Sequence, residues 1–333
     1  MKQIPYLKQG SRVAIVAPAR CVTPEEMAFG IQWLKEQGFV PVYDERLFAV
    51  HHIFAGTDDF RAAVFQEYLD NEEIEAIWLA RGGYGGIRII DKLDFTHFLE
   101  HPKWIAGFSD STVIHGKLSH LGVPSLHASM PFYFENKTDE AKQSLFNALT
   151  GKPLRYELPT HPQNRMGEME GEIVGGNLSV LIGMMGSDSF PETDGKILFI
   201  EEVDEYIYHI DRMMRALKRA GKLDHLKGLI VGGLTQIHDN AHPFGQTVEE
   251  VIAEVVKDYD YPVCFNFPAG HFDDNRVMIL GRKVSIRITS EMTIFEYKSG
   301  MANVEDTIPE GSMTVSQFGN LLKNGIRKHY EKQ

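Results

Sequence analysis

Short runs of β-branched and other apolar residues alternate along this chain with longer stretches whose apolar positions recur every three to four residues. That alternation is the signature of a parallel sheet whose strands are joined by crossover helices. In the first half it predicts strands over 12–17, 40–43, 76–80 and 104–107, and helices over 24–37, 58–71, 85–93 and 110–121. Between 135 and 167 the apolar pattern weakens around Lys152, Pro153, Pro159 and Pro162, which predicts a helix followed by an extended linker. Beyond it, strands over 172–174, 196–200, 228–231 and 263–265 alternate with a glycine-interrupted helix from 177 and helices over 207–220 and 247–256. Segments 277–280, 283–288 and 292–297 predict antiparallel strands, and 315–328 a helix with basic residues near its end. The expected fold is α/β in two domains. An N-terminal domain over 1–150 carries a mainly parallel sheet, a linker spans 151–168, and a C-terminal domain over 169–333 mixes α/β with a β appendage.

A chain of 333 residues is long enough for one large core or two ordinary ones, and roughly one domain per 150 residues favours two. The net charge of −12 argues against a surface that tracks nucleic-acid phosphates, which needs clustered Lys and Arg. Only Cys21 and Cys264 are present, far apart, so neither a disulfide framework nor a thiolate zinc site is expected, and the thiols suit a reducing compartment. The basic start followed by an apolar run resembles a secretion signal only superficially. That uncharged run, 13–19, is seven residues long, contains Pro18 and is closed by Arg20. No segment approaches the ~18 consecutive apolar residues of a membrane span. The expected location is the cytoplasm, with no membrane and no nucleic-acid partner.

Four segments carry candidate chemistry. In WIAGFSDST (104–112) an apolar strand runs into a polar turn and then a helix, placing Ser109 at the junction. Such an elbow can hold a hydroxyl clear of the sheet with the next backbone N–H facing the same space. Ser109 or Ser111 would equally serve as an ordinary helix N-cap. In ARGGYGG (80–86) glycines at the C-terminal end of a strand let backbone amides approach a ligand, although a plain tight turn accounts for them as well. In KILFIEEVDE (196–205) an apolar strand ends in carboxylates, and Glu201 stands at the strand end while Glu202, Asp204 and Glu205 read as a solvated cluster favouring the next helix. In PVCFNFPAGH (262–271) a strand leads through Pro268 and Gly270 to His271. His115 and His127 are rival bases nearer Ser109 in sequence, and a loop histidine can equally be plain packing. No HExxH, short-spaced His/Cys pair or DxDxDG loop is present, and the adjacent His51 and His52 would point apart, so no metal site or cofactor is expected.

Serine, then glutamate, then histidine, each at the end of an apolar strand, forms a coherent nucleophile, acid and base set. With VAIVAPAR, ARGGYGG, GFSDST, GGNLSVL, ILFIEE and the following IDRMMRAL, GLIVGG and NFPAGH, the chain resembles the LD-carboxypeptidases and the related microcin-C immunity peptidases over about residues 11 to 285. The resemblance implies a two-domain serine peptidase with the active site in the cleft between an N-terminal nucleophile domain and a C-terminal domain that supplies glutamate and histidine. Its triad would be Ser109, Glu201 and His271, with Glu202 beside Glu201 as the alternative carboxylate, and its oxyanion hole the amides of Gly83 and Asp110. It implies hydrolysis of the bond between an L-centre and a terminal D-alanine in murein fragments, in a cytoplasmic homodimer. Arg81 or Arg276 would meet a substrate carboxylate, or each would be a structural ion pair. An aminoacyl-nucleotide immunity peptidase and a non-catalytic small-ligand binder using the ARGGYGG loop are the competing expectations.

Overall fold

The computed structural model describes residues 2–297; the helix expected over 315–328 lies outside the described residues. In chain order the described elements are β1 (Arg12–Val16), α1 (Pro24–Glu36), β2 (Val40–Val42), α2 (Asp58–Asp70), β3 (Ala76–Leu79), α3 (Thr96–Glu100), β4 (Trp104–Gly107), α4 (Thr112–His120), β5 (Ser125–His127) and α5 (Asp139–Thr150). There follow β6 (Arg155–Pro159), β7 (Gly167–Asn177), α6 (Leu178–Met184), β8 (Ile197–Val203), α7 (Ile207–Arg219), β9 (Gly228–Thr235), α8 (Val248–Val255), β10 (Val263–Cys264), β11 (Met278–Leu280), β12 (Lys283–Ile288) and β13 (Met292–Glu296).

The first sheet has the order β11-β5-β4-β3-β1-β2. Its five strands β1 to β5 run parallel, and helices cover them, so β3 and β4 are buried along their whole length and read as the unbroken apolar runs AIWL and WIAG. From β1 the chain steps outward to β2 and then returns past β1 to β3. The direction of strand addition therefore reverses between β1 and β3, and at such a point the loops beyond the carboxyl ends leave a crevice for a ligand.

The second sheet, β10-β9-β8-β7-β12-β13-β6, joins two patterns through one strand. Residues 173–177 of β7 pair in parallel with β8, while 167–172 of the same strand pair antiparallel with β12. Helix starts follow the sequence signals: Thr23 and Thr247 each form a capping box with a glutamate three residues on, and Thr57 and Thr138 cap α2 and α5.

Three segments differ from the pattern-based expectation. Residues 85–93 form two short 3₁₀ turns, Gly86–Arg88 and Ile90–Lys92, instead of a helix. Gly85 takes φ +144°, and a Cβ there would meet the Arg61 guanidinium at 2.8 Å, so the loop needs glycine where a helix would not. The extended stretch after α5 contains β6, an edge strand on β13, with Tyr156 buried between exposed Arg155 and Glu157 and with Pro159 at its end. Finally, β11, expected with the β appendage, crosses to the first sheet and pairs antiparallel with β5, Met278 opposite His127.

Candidate active site

β4 ends at Gly107, and the chain turns at Ser109, which takes φ +63° before a 3₁₀ turn leads into α4. A left-handed serine at a strand-to-helix junction is a strained elbow, costing on the order of 1–3 kcal/mol, that lifts its hydroxyl out of the sheet. Gly107 makes the turn possible, since a Cβ there would fall 2.8 Å from Ser111 Oγ. Neither Ser109 nor Ser111 caps the helix with its side chain. The Ser109 hydroxyl instead lies 3.0 Å from His271 Nε2.

His271 reaches this point on a short, constrained loop. Gly270 takes φ +133°, its N–H donates to Asn275 Oδ1 (2.9 Å), and a Cβ on it would stand 3.1 Å from Glu201 Oε2. The second ring nitrogen, Nδ1, lies 2.7 Å from Glu201 Oε2. With Nδ1 donating to the carboxylate, Nε2 is left unprotonated and accepts the serine O–H. Burial of the imidazole disfavours its charged form, but the charge and hydrogen bond of Glu201 outweigh it, and the pKa of His271 stands above the usual histidine value.

The two neighbouring glutamates divide sharply. Glu201 is fully buried and sits where the register of β8 against β9 shifts between Ile200 and Glu202. A bulge of this kind re-aims a side chain. Glu202 is buried too, which corrects its reading as part of a solvated cluster. Its Oε1 accepts from Asn177 Nδ2 (2.9 Å) and its Oε2 from Ser179 N–H (2.8 Å), so it serves the first turn of α6, not the next helix, α7. Burial raises its pKa against those bonds. Asp204 and Glu205 remain partly exposed and bind His238 and His209.

The glycine loop after β3 is tied to the elbow. Asp110 Oδ2 accepts from Gly86 N–H at 2.7 Å, and a Cβ on Gly82 would lie 3.4 Å from Ser109 Cβ. Gly83, at φ +97°, leaves no room for a side chain beside Arg20 Cδ, and its N–H donates to no backbone carbonyl among the described residues. Gly83, Asp110, Ser109 and His271 all line one cleft of about 650 Å³.

Arg81 also lines this cleft, with its guanidinium 3.8 Å over the Phe132 ring, donating to Cys21 O (3.2 Å) and lying 3.8 Å from Glu26. Arg276 does not reach it. Its guanidinium is held by Asp274 (2.9 Å) and faces Tyr156 in a separate cavity of about 420 Å³ between α5 and β6. The rival histidines are structural. His115 is buried between Ser125 Oγ and Gly107 O, each at 2.8 Å, and burial pushes its pKa down to about 4. His127 is buried against the edges of Phe108 and Phe199, with neither ring nitrogen hydrogen-bonded, and burial holds its pKa well below the usual value.

The cleft holds residues that the sequence reading passed over: Arg20, Lys137, Asn177 and Gln236. Arg20 closes the VAPAR block and Asn177 sits in GGNLSVL, so both lay inside motifs already singled out. Lys137 carries no local signal; its Nζ donates to Phe272 O (3.0 Å), and burial lowers its pKa despite the nearby Asp273.

Residues 13–128 match the LD-carboxypeptidase N-terminal domain and residues 170–286 the LD-carboxypeptidase C-terminal domain. The chain is 29% identical over 296 residues to a Bacillus subtilis protein named "Probable murein peptide carboxypeptidase", covering 87% of this chain and 93% of that one. It is 27% identical over 303 residues to the microcin C7 self-immunity protein of Escherichia coli, covering 81% and 88%. The crystal structure of muramoyltetrapeptide carboxypeptidase from Oxalobacter formigenes superposes with a TM-score of 0.79 at 25% identity, over 86% of this chain and 98% of that one. Matched in both of its halves, over more than two thirds of its length, the chain belongs to the LD-carboxypeptidase family of serine peptidases.

Proposed function

We propose that the protein is a serine LD-carboxypeptidase that releases terminal D-alanine from murein tetrapeptides, with Ser109 as nucleophile, His271 as base and Glu201 as its orienting carboxylate. The observation that carries this reading is the unbroken chain from Ser109 Oγ through His271 to Glu201, opening on one cleft. His271 Nε2 takes the serine proton as Oγ bonds to the scissile carbonyl carbon, and the buried Glu201 carboxylate stabilises the imidazolium. The Gly83 and Asp110 amides face the oxygen on which negative charge develops. Collapse of the adduct breaks the C–N bond, His271 returns the proton to the departing D-alanine amine, and water then hydrolyses the acyl-serine by the same proton relay. The cleft lining carries carboxylates (Asp110, Glu202, Asp204, Asp273) as well as the cations Arg20, Arg81 and Lys137, and these three are its candidate partners for a free terminal carboxylate.

D-alanine release from a purified murein tetrapeptide, by wild type and Ser109→Ala side by side with a chelator present, tests this directly. Release by wild type alone supports it; release by neither removes the murein substrate. One observation favours a second reading, hydrolysis of an aminoacyl-nucleotide: Tyr133, 60% exposed as a residue, lines the cleft and offers an aromatic side chain on which a base can stack. Turnover of an aminoacyl-adenylate analogue in place of the tetrapeptide would decide for it. A cytoplasmic location and a homodimer belong to the same proposal, and light scattering on purified protein checks the dimer. Among the described residues, no helix is long and apolar enough to cross a membrane.

A further inference from the structure

Outside the cleft, the side chains of Glu72, His97 and His101 converge on the surface. His97 stands on α3, and His101 ends that helix four positions on, a spacing that brings two side chains to one side of a helical turn. Glu72 comes from the turn between α2 and β3. Its Oε1 lies 3.4 Å from His97 Nε2 and 3.5 Å from His101 Nε2, and the three donor atoms lie within 4.8 Å of one another.

Donors bound to zinc at 2.0–2.1 Å in a tetrahedron stand about 3.3 Å apart. Both carboxylate–imidazole edges therefore already have close to the length that a shared ion imposes. Behind His97, its Nδ1 lies 3.9 Å from Glu100 Oε2. That is longer than a hydrogen bond, but a small rotation of the exposed Glu100 side chain would let it accept from Nδ1–H, leaving Nε2 to bind metal. The HFLEH pair, His97 and His101, is short-spaced but supplies only two ligands, and the third, Glu72, stands 25 positions before the first histidine.

We infer that Glu72, His97 and His101 form a binding site for a divalent transition metal of the zinc type, with Glu100 as the orienting carboxylate and water in the remaining position. The bound ion joins α3 to the turn that follows α2. None of these residues lines the cleft of Ser109, so the ion takes no part in hydrolysis there. The competing account is a carboxylate shared by two protonated imidazoles, which needs no ion.

The test is competition of metal-free, untagged, full-length protein with a chromophoric chelator for Zn²⁺, together with thermal melts with and without Zn²⁺. Wild type should take up one Zn²⁺ per chain at this site and gain roughly 2–5 °C at a hundredfold excess over Kd. His97→Ala, His101→Ala and Glu72→Gln should each weaken that binding about tenfold or more, while the metal-free melts stay unchanged. Zn²⁺-dependent movement of the His97 and His101 ring resonances in wild type gives the same decision without substitution. Equal zinc uptake by wild type and a His97→Ala/His101→Ala double variant, or ring resonances that ignore Zn²⁺, overturns the inference. D-alanine release in the presence of chelator should be unaffected, so failure of this site and failure of the hydrolase reading are separable.

Discussion

His271 and His115 are both carried close to the Ser109 elbow, and both make two short contacts through their ring nitrogens. They differ in what faces them. His115 meets a hydroxyl and a carbonyl, neutral groups that satisfy the ring but do not hold a proton, and burial drives its pKa down to about 4. His271 meets the Glu201 carboxylate, and its pKa rises although burial opposes it. The two rings are moved in opposite directions by the charge of their partners rather than by exposure, since His115 is 1% exposed and the His271 side chain only 20%.

Substitutions sharpen this contrast in descending order of effect. Removing the hydroxyl that donates to His271, Ser109→Ala, should lower kcat by about 10⁴-fold or more without loss of folding, measured as D-alanine release and thermal melting. Glu201→Gln should lower it by about 10³–10⁴-fold and also move the pH profile. The base must be neutral to accept a proton, so wild-type kcat/KM should fall as pH drops through a value above 6.5, the ordinary histidine pKa. Without the Glu201 carboxylate, burial is opposed mainly by the weaker pull of Glu202, and the residual activity should persist to lower pH. An acid limb that stays in place would show that Glu201 does not set the proton affinity of His271. His115→Ala should do the reverse, leaving the rate of folded enzyme intact while costing about 1–3 kcal/mol in denaturant unfolding, because the buried Ser125 hydroxyl loses its ring partner and the Gly107 carbonyl keeps only the Ala128 N–H. His127→Leu should have the smallest effect, below about 1 kcal/mol and of either sign, since a ring with two unpartnered nitrogens has no hydrogen bond to lose.

What could be read in advance follows the same division between local and distant causes. The parallel strands were legible because burial on both faces writes itself as a continuous apolar run, as in AIWL and WIAG. Ser109 was singled out because it follows such a run within two residues, and His271 because the short loop after β10 presents it. The choice between Glu201 and Glu202 was not, because it rests on a register shift in β8 and on Asn177 and Ser179, which lie more than twenty residues earlier. Residues 85–93 look helical by apolar spacing, and only the crowding of Gly85 and the bond from Gly86 to Asp110 show why they turn instead. Arg276 lies five positions after His271 and yet faces another cavity, because Asp274 and Tyr156 hold it there. The crossing of β11 left no mark in MIL, which would suit either sheet.

That crossing has a consequence for how the molecule can be divided. The peptide leaving His271 reaches Met278 within seven residues and is there hydrogen-bonded into the edge of the sheet that carries Ser109. A fragment ending at residue 150 would contain the serine elbow but would present β5 as a bare edge, open to pairing with other chains. The two halves of this gene product are therefore poor candidates for separate expression, exchange between relatives or split-enzyme reconstitution. The last strand of the sheet that carries Ser109 is encoded after His271.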